Sequence, residues 1–438
     1  MDEMRFLVVG GGAREHAIAK ALKRGGARIY TVMKNRNPGI ARISEEAVIL
    51  QETDISAVVE WAKDRVEMAF IGPEAPLEVG LADALEEAGI PTIGPKKAAA
   101  RIETSKEYMR SLMERHNIPG QVRYAVVESR EDAERILSEM EDFVIKPIGL
   151  TGGKGAKVSG EHLNSIEEGL AYIDTIIEGY GGGKAIIEEK LEGEEFTLQA
   201  FVDGRNLAPM PLVQDHKRAY EGDEGPNTGG MGSYSMQDHR LPFIRESEYE
   251  DALSIMKKVV EAMHEEGNPY RGILYGQFML TKDGPKIIEF NARFGDPEAM
   301  NVLGLLKTPL PEVAKAMVEG NLGGVEFRKK ATVVKYVVPE GYGVSSKSDT
   351  KVDVDEAAIN REGAEVFYAS VNEKDGDIYT TSSRTLAVLA MSDRLEDAES
   401  LAEKALSHVK GDIFSRHDIG KKETVERKVA HMESLRGN

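Results

Sequence analysis

Lys286-Ile287-Ile288-Glu289-Phe290-Asn291-Ala292-Arg293-Phe294-Gly295-Asp296-Pro297-Glu298 starts as a short strand and ends in a polar turn. Residues two apart in a strand share a face, so Ile287, Glu289 and Asn291 point one way, and Ile288 and Phe290 point the other way into a core. A carboxylate among apolar strand residues is costly to bury unless something pairs with it. Two readings of Glu289 follow. It is a solvated residue of an edge strand, or it joins Asn291 as an oxygen ligand for Mg²⁺ that holds a nucleotide's phosphates. What the rest of the chain brings to this turn decides between them.

The chain has 438 residues, enough for about three domains at roughly 150 residues each. Its 41% hydrophobic and 30% charged content is that of a soluble globular protein. The 44 glycines are clustered, which points to loops that approach phosphates. A formal net charge of −19 argues against nucleic acid as a partner, since phosphate backbones need a cationic surface. Small anions remain compatible, because a few local cations, helix N-termini or metal ions suffice to hold them. With no cysteine, disulfides, zinc–thiolate sites and thiol catalysis are excluded. The sequence runs straight into a strand without a signal peptide, and no apolar run suits a membrane span; a cytoplasmic protein with no membrane partner is expected.

Upstream, Arg5-Phe6-Leu7-Val8-Val9 reads as a buried strand, followed by Gly10-Gly11-Gly12-Ala13-Arg14-Glu15-His16 and helical spacing of Ala17, Ile18, Ala21 and Leu22. A strand–glycine turn–helix unit sets backbone N–H groups and a helix N-terminus against an anion. A dinucleotide fold is disfavoured. Glu15 stands where the third glycine of G-x-G-x-x-G belongs, and the strand Arg28–Val32 leads to Lys34, not to an acidic ribose ligand. A single-phosphate ligand fits better, and a tight turn without any ligand is the other reading. Met68–Ile71 is a further strand, ending in Gly72-Pro73-Glu74-Ala75-Pro76-Leu77 before the helical Leu81–Glu87. Alternating strands and helices predict a parallel sheet with Gly10–His16, Asn37-Pro38-Gly39 and Gly72–Glu74 on one rim.

A second organisation begins near Ser105-Lys106. Phe143-Val144-Ile145-Lys146-Pro147 is a strand with one lysine, followed by Gly149-Leu150-Thr151-Gly152-Gly153-Lys154-Gly155. This is no Walker A loop, because Ile148 replaces its first glycine and Gly155 its Ser/Thr. It reads as a lid over phosphates or as a plain glycine-rich hairpin. Ala185–Leu191 is a strand ending in a charged hinge, and Glu194–Ala200 opens the next. Gln214-Asp215-His216-Lys217-Arg218 and Gly225–Gly232 form a long polar region, of the kind that is usually functional or disordered. His216 by itself reads as a hydrogen-bonding residue. A helix over about 248–265, the strand Leu274–Leu280 and the turn Lys282–Gly284 precede the opening strand, and the hairpin brings Gln277 near Glu289 and Asn291. From about Glu326 the chain restarts with Ala331–Val338, Glu365–Ser370 and Thr385–Ala390, then an amphipathic helix bearing Leu395, Ala398, Ala402, Ala405 and Val409. No catalytic cluster is evident there.

The ordered set Gly11–His16, Gly72–Leu77, Gly152–Gly155, Gln214–Arg218, Pro226–Gly232 and Arg293–Glu298 closely resembles the phosphoribosylamine–glycine ligase (glycinamide ribonucleotide synthetase) family, ATP-grasp enzymes of purine biosynthesis, over nearly the whole chain. The resemblance implies a multidomain α/β and α+β protein. A parallel α/β phosphoribosylamine-binding domain would span residues 1–103, a two-lobed ATP-grasp region 104–325 with its lid lobe at about 123–190, and a β-rich C-terminal domain 326–438. It also implies the substrates ATP, glycine and 5-phosphoribosylamine, with Mg²⁺ or Mn²⁺, in a monomer or homodimer.

By the same resemblance Glu289 and Asn291 hold the metal, with Gln277 as third ligand where ATP-grasp enzymes often carry a carboxylate. Lys106 and Lys146 contact phosphates, and Gly152, Gly153 and Lys154 cap them. Glu188, Glu189, Lys190 and Leu191 line the adenine, and Glu195 takes the ribose hydroxyls. Gly12, Asn37, Pro73 and Glu74 form the phosphoribosylamine site, with Asp215, Lys217 and Asp296 nearer glycine and the amine. Arg293, Lys154 and Asp296 are the catalytic candidates, with Arg293 at the transferring phosphoryl group. Departures at Ile148–Thr151, Asn35–Gly39 and Met300 fit a divergent, archaeal-type branch. Rival readings are another ATP-grasp carboxylate–amine ligase, which would not need the Gln214–Arg218 and Asn227–Gly232 runs, and a non-catalytic nucleotide-binding regulator.

Overall fold

Arg5–Val9 is the strand from which the N-terminal sheet grows on both sides, in the order Glu46–Ile49, Arg28–Met33, Arg5–Val9, Met68–Ile71, Thr92–Ile93. The computed structural model describes residues 3–151, 155–179 and 183–437. All four pairings in this sheet are parallel. Because the chain leaves Arg5–Val9 first to one side and later to the other, a crevice opens beyond the carboxyl ends of Arg5–Val9 and Met68–Ile71, the switch point where such sheets bind ligands. Gly10–Gly12 and Gly72–Glu74 exit into it. Asn37 joins the rim through its Nδ2, which donates to the Gly11 carbonyl at 2.9 Å.

The lid lobe is an antiparallel sheet in the order Tyr124–Val127, Ala185–Glu189, Phe143–Pro147, Lys157–Val158. Its helices Arg130–Leu137 and Ile166–Gly179 help close a separate small core containing Val127, Leu137, Ile145, Leu170 and Ile187. A second antiparallel sheet runs Leu207–Pro209, Glu194–Asp203, Arg271–Thr281, Gly284–Asn291. The helix Glu246–Glu265 buries Ala252, Ile255, Met256, Val259 and Met263, in the same core as the sheet's Phe278 and Ile287.

In the predicted hairpin, Gln277 faces Glu289 and Tyr275 faces Asn291, but Phe278 faces Ile287, so Ile288 is an extra residue in a β-bulge. The bulge overturns the simple alternation read from sequence. Ile287 and Phe290 are the core residues, whereas Ile288 is half-buried, and Glu289 does not share the Ile287 face. Beyond Asn291, Phe294 wedges the turn in place. It stacks on Phe70 of the N-terminal sheet at 6.0 Å and meets Phe201 edge-on at 6.1 Å.

The polar region expected after Gln214 is largely ordered as strands. Gln214–Asp215 pairs with Gly232–Ser235, which pairs with Ala331–Pro339, so the large C-terminal sheet takes two strands from the central region. Arg218–Tyr220 and Glu224–Asn227 form a hairpin of their own. The C-terminal amphipathic helix is Leu395–Leu406; it ends at Ser407, and Val409 starts the strand Val409–Gly411 instead of extending the helical face. Val409 stays buried in the same core as Ala402 and Ala405.

Candidate active site

Across the second sheet, Thr197, Gln277 and Glu289 stand in one row, and Gln199, Tyr275 and Asn291 in the next. Directly opposed strand residues share a face and lie within about 5.5 Å, so the three expected metal ligands form one patch. The Gln277 amide donates to the Glu195 carboxylate, and Asn291 Nδ2 lies 3.4 Å from Glu289 Oε1. Burial pushes the Glu289 carboxyl up, but the nearby Lys217, Lys106, Lys146 and Arg293 outweigh this and hold it below the usual carboxylate range. Among the described residues no three His, Asp or Glu side chains form a metal cage. One carboxylate and two amide oxygens nevertheless suit a hard divalent cation that completes its shell with phosphate oxygens and water.

Around this patch the cations are individually restrained. Lys106 opens the helix Lys106–Arg115, capped by Ser105, and its Nζ donates to the Gly149 carbonyl at 2.9 Å. Lys146 donates to Glu188 Oε2 at 2.6 Å, and Arg110 Nε donates to Glu188 Oε1 at 2.9 Å. Burial raises the Glu188 carboxyl, but Arg110 and Lys146 pull it down to about 2. Arg110 also donates to the carbonyls of Ile287 and Ile288, both at 3.1 Å. One wholly buried guanidinium thus ties the lid strand Ala185–Glu189 to the bulge beside Glu289. Glu189 accepts from the Arg123 N–H at 2.8 Å, Lys190 reaches the Ser159 carbonyl at 3.2 Å, and Leu191 is half-buried just past the strand. Gly152, Gly153 and Lys154 lie outside the described residues.

The N-terminal crevice is more committed than its sequence suggested. Glu15 takes the N–H of Gly12 at 2.7 Å and lies against Gly10 and Gly72, where an added Cβ would fall 2.4 and 2.3 Å from its side chain. That carboxylate fills space a dinucleotide's pyrophosphate would need. Asn37 is also occupied. Its Oδ1 accepts from Gly39 and Ile40, and its Nδ2 donates to Gly11 and Tyr368 carbonyls. What it offers a ligand is the turn it shapes. Pro73 precedes the helix Glu74–Val79, and Glu74 Oε2 meets Arg293 at 3.3 Å and Arg14 at 3.9 Å. Burial raises Glu74, and Arg293 and Arg14 bring it down to about 2.

At the other end, Asp296 accepts from Tyr336 Oη and, at 3.1 Å, from Arg384. Arg384 also donates to the carbonyls of Gly229, Gly230 and Asp296 at 2.8, 3.0 and 3.2 Å, and lies over the Tyr336 ring. Asp215 Oδ1 is buried without a hydrogen-bond partner among the described residues. Desolvation and the neighbouring Glu298 push this carboxyl well above its ordinary value. Glu298 itself accepts from Tyr275 Oη at 2.7 Å and Thr197 at 3.3 Å. Lys217 reaches Glu195 at 3.3 Å, and its charge is reinforced: burial opposes it, but Glu195, Glu289, Asp215 and Glu298 prevail.

Sequence reasoning passed over Arg110, Glu103, Arg14, Tyr336 and Arg384. Arg110 and Glu103 did carry a signal, since each is a charge in an apolar stripe, between Met109 and Leu112–Met113 and beside Ala99, Ala100 and Ile102. Arg384 sits in a short turn before a strand and carried none.

Comparison with known proteins gives a consistent result. Three family models match consecutive parts of the chain: the phosphoribosylglycinamide synthetase N domain over residues 4–103, its ATP-grasp (A) domain over 104–299 and its C domain over 332–422. A phosphoribosylamine–glycine ligase of Methanothermobacter thermautotrophicus is 54% identical over 99% of this chain and 100% of its own. One from Pyrococcus furiosus is 51% identical over 99% of this chain and 98% of its own. The crystal structure of a phosphoribosylamine–glycine ligase from Thermotoga maritima superposes with a TM-score of 0.81 at 29% identity, covering 95% of this chain and 100% of that one. With all three domains matched in order and relatives above half identity along the full length, the chain belongs to the phosphoribosylglycinamide synthetase family.

Proposed function

We infer that this chain is the ligase that joins glycine to 5-phosphoribosylamine, cleaving ATP to ADP and phosphate and giving glycinamide ribonucleotide. The glycine carboxylate is a poor electrophile, so it attacks the γ-phosphorus of ATP and forms glycyl phosphate as ADP leaves. The amine of phosphoribosylamine then attacks the acyl carbon, phosphate departs, and the amine's proton passes to solvent. Such phosphoryl transfer needs positioning and charge neutralisation more than a covalent protein nucleophile.

The observation that carries this reading is one charged cluster around Glu289 and Lys217 with two differently balanced ends. At the nucleotide end Lys106 and Lys146 bind phosphate oxygens, backed by the Lys154 loop, while the hinge Glu188–Leu191 takes adenine and Glu195 the ribose. A divalent cation, Mg²⁺ or Mn²⁺, held by Gln277, Glu289 and Asn291, would offset the charge of the triphosphate. Arg293 reaches the transferring phosphoryl group. At the acceptor end the orphaned Asp215 oxygen, with Glu298 behind it, suits the ammonium of glycine, and Lys217 its carboxylate. Asp296 accepts two hydrogen bonds and keeps free lone pairs to receive the attacking amine's N–H. Gly12, Pro73 and Glu74 line the phosphoribosylamine crevice, beside the turn shaped by Asn37. The phosphorylated metabolite substrates support a cytoplasmic setting; no helix among the described residues is long and apolar enough to cross a membrane.

The test is ADP release with ATP and Mg²⁺, omitting glycine or phosphoribosylamine in turn. ADP should accumulate only when both are present, together with glycinamide ribonucleotide; ADP formation independent of both would sink the ligase reading.

A further inference from the structure

Glu103 lies in the last turn of the helix Lys97–Thr104, which links the N-terminal sheet to the ATP-grasp region, and its side chain is only 4% exposed. Its Oε2 accepts the backbone N–H of Ala292 at 2.7 Å, and its Oε1 lies 2.9 Å from Arg293 Nη2. Both contacts fall on the two residues directly after Asn291, where the strand gives way to the turn. A buried carboxylate is an expensive choice for a helix face otherwise formed by Ala99, Ala100 and Ile102. Burial lifts this acid to about 7, against the pull of Arg293. The carboxylate is matched to the Ala292 N–H and the Arg293 guanidinium, not to the apolar face around it.

Arg293 has two carboxylate neighbours, and they differ in kind. Glu74 lies on the crevice rim, 31% exposed, where it meets incoming substrate. Glu103 is buried against the guanidinium, 4% exposed. We propose that Glu103 is a positioning residue for phosphoryl transfer: it fixes the peptide at Ala292 and the guanidinium of Arg293, so that Arg293 keeps its aim when Glu74 turns to phosphoribosylamine. The inference rests on the ligase reading and on the role given to Arg293 in it.

Three measurements on the full chain test it: steady-state kinetics, the melting temperature, and glycine-dependent positional isotope exchange in ATP labelled at the β,γ-bridge. The exchange reports glycyl phosphate formation without the amine. Glu103→Gln keeps an acceptor for the Ala292 N–H but removes the charge facing Arg293. It should lower kcat and isotope exchange together by about 10- to 100-fold, the scale of a misaimed catalytic group, with the KM for ATP within about threefold. Glu103→Met should melt below wild type, because it strips the Ala292 N–H and the Arg293 guanidinium of this acceptor, and in its folded form be as slow as Glu103→Gln. Glu103→Asp should recover part of the exchange rate.

Wild-type kcat in a folded Glu103→Met or Glu103→Gln protein would overturn the proposal. So would a lower kcat with unchanged isotope exchange, or a rise confined to the KM for ATP. A wild-type enzyme that makes no glycinamide ribonucleotide would instead refute the ligase reading itself, so the two failures are distinguishable.

Discussion

Glu188 and Asp215 are both buried carboxylates of the same charged cluster, and their surroundings are opposite. Glu188 receives Lys146 at 2.6 Å and Arg110 at 2.9 Å and is driven down to about 2. Asp215 has an oxygen with no partner among the described residues, a second carboxylate beside it, and a pKa well above its ordinary value. The nucleotide end is therefore balanced by the chain itself before anything binds. At the acceptor end Asp215 lacks a direct counter-charge among the described residues, which a cationic ligand would supply. One end is part of what keeps the molecule folded, and the other trades stability for recognition.

Glu188→Gln should give the largest effect on stability. It leaves two buried cations without a counter-charge, a loss of about 3 kcal/mol by the behaviour of broken buried pairs. The sign with pH follows from the depressed pKa. The stabilisation is complete above the ordinary value of 4.5 and is lost as pH falls towards about 2. Thermal melts of wild type and variant should therefore converge on acidification; a gap that widens instead would end the contrast.

Next in size is Glu289→Gln. Removing the single metal-facing charge should lower kcat at least ~100-fold, in line with the loss of one electrostatic stabiliser of a transition state, and also lower the melt, because the surrounding cations favour the ionised carboxylate in the folded state. Near-normal turnover would take Glu289 out of the metal patch. Arg384→Met is smaller and confined to the acceptor end. It loosens Gly229, Gly230 and Asp296, so kcat/KM for glycine and phosphoribosylamine should fall about tenfold with KM for ATP unchanged. A shift in the KM for ATP instead would mean that the two ends are not separate.

The same contrast governs what could be read from residues alone. Arg5–Val9, Met68–Ile71 and the Gln277–Glu289 hairpin were legible because apolar runs, glycine turns and strand alternation are local patterns. The bulge at Ile288 was not, since it is set by Arg110 taking the carbonyls of Ile287 and Ile288 from a distant helix. Asn37 stood out as a polar residue on a ligand rim, yet its side chain is consumed by an N-cap and two carbonyls. Tyr336 and Arg384 lie in a domain that carried no catalytic pattern; the shared sheet built from Gly232–Ser235 and Ala331–Pro339 helps bring that domain against Asp296. Contacts that close over long sequence separations leave no periodic trace.

The smallest predicted effect separates the two ends most directly, because it runs against the usual sense of a mutation. Asp215 ionises near 3.8 in the unfolded chain and well above that in the folded one, since desolvation and Glu298 disfavour its charge. The folded state holds this proton longer, so ionisation detracts from stability as pH rises past 3.8. Asp215→Asn removes that penalty. At neutral pH the variant should melt above wild type by the equivalent of about 1 kcal/mol, and the difference should vanish near pH ~3, where both side chains are neutral. Saturating glycine should then stabilise wild type more than the variant, because only the carboxylate gains a partner in the ammonium. A variant that melts below wild type at neutral pH would place Asp215 with Glu188, among the carboxylates that hold the fold.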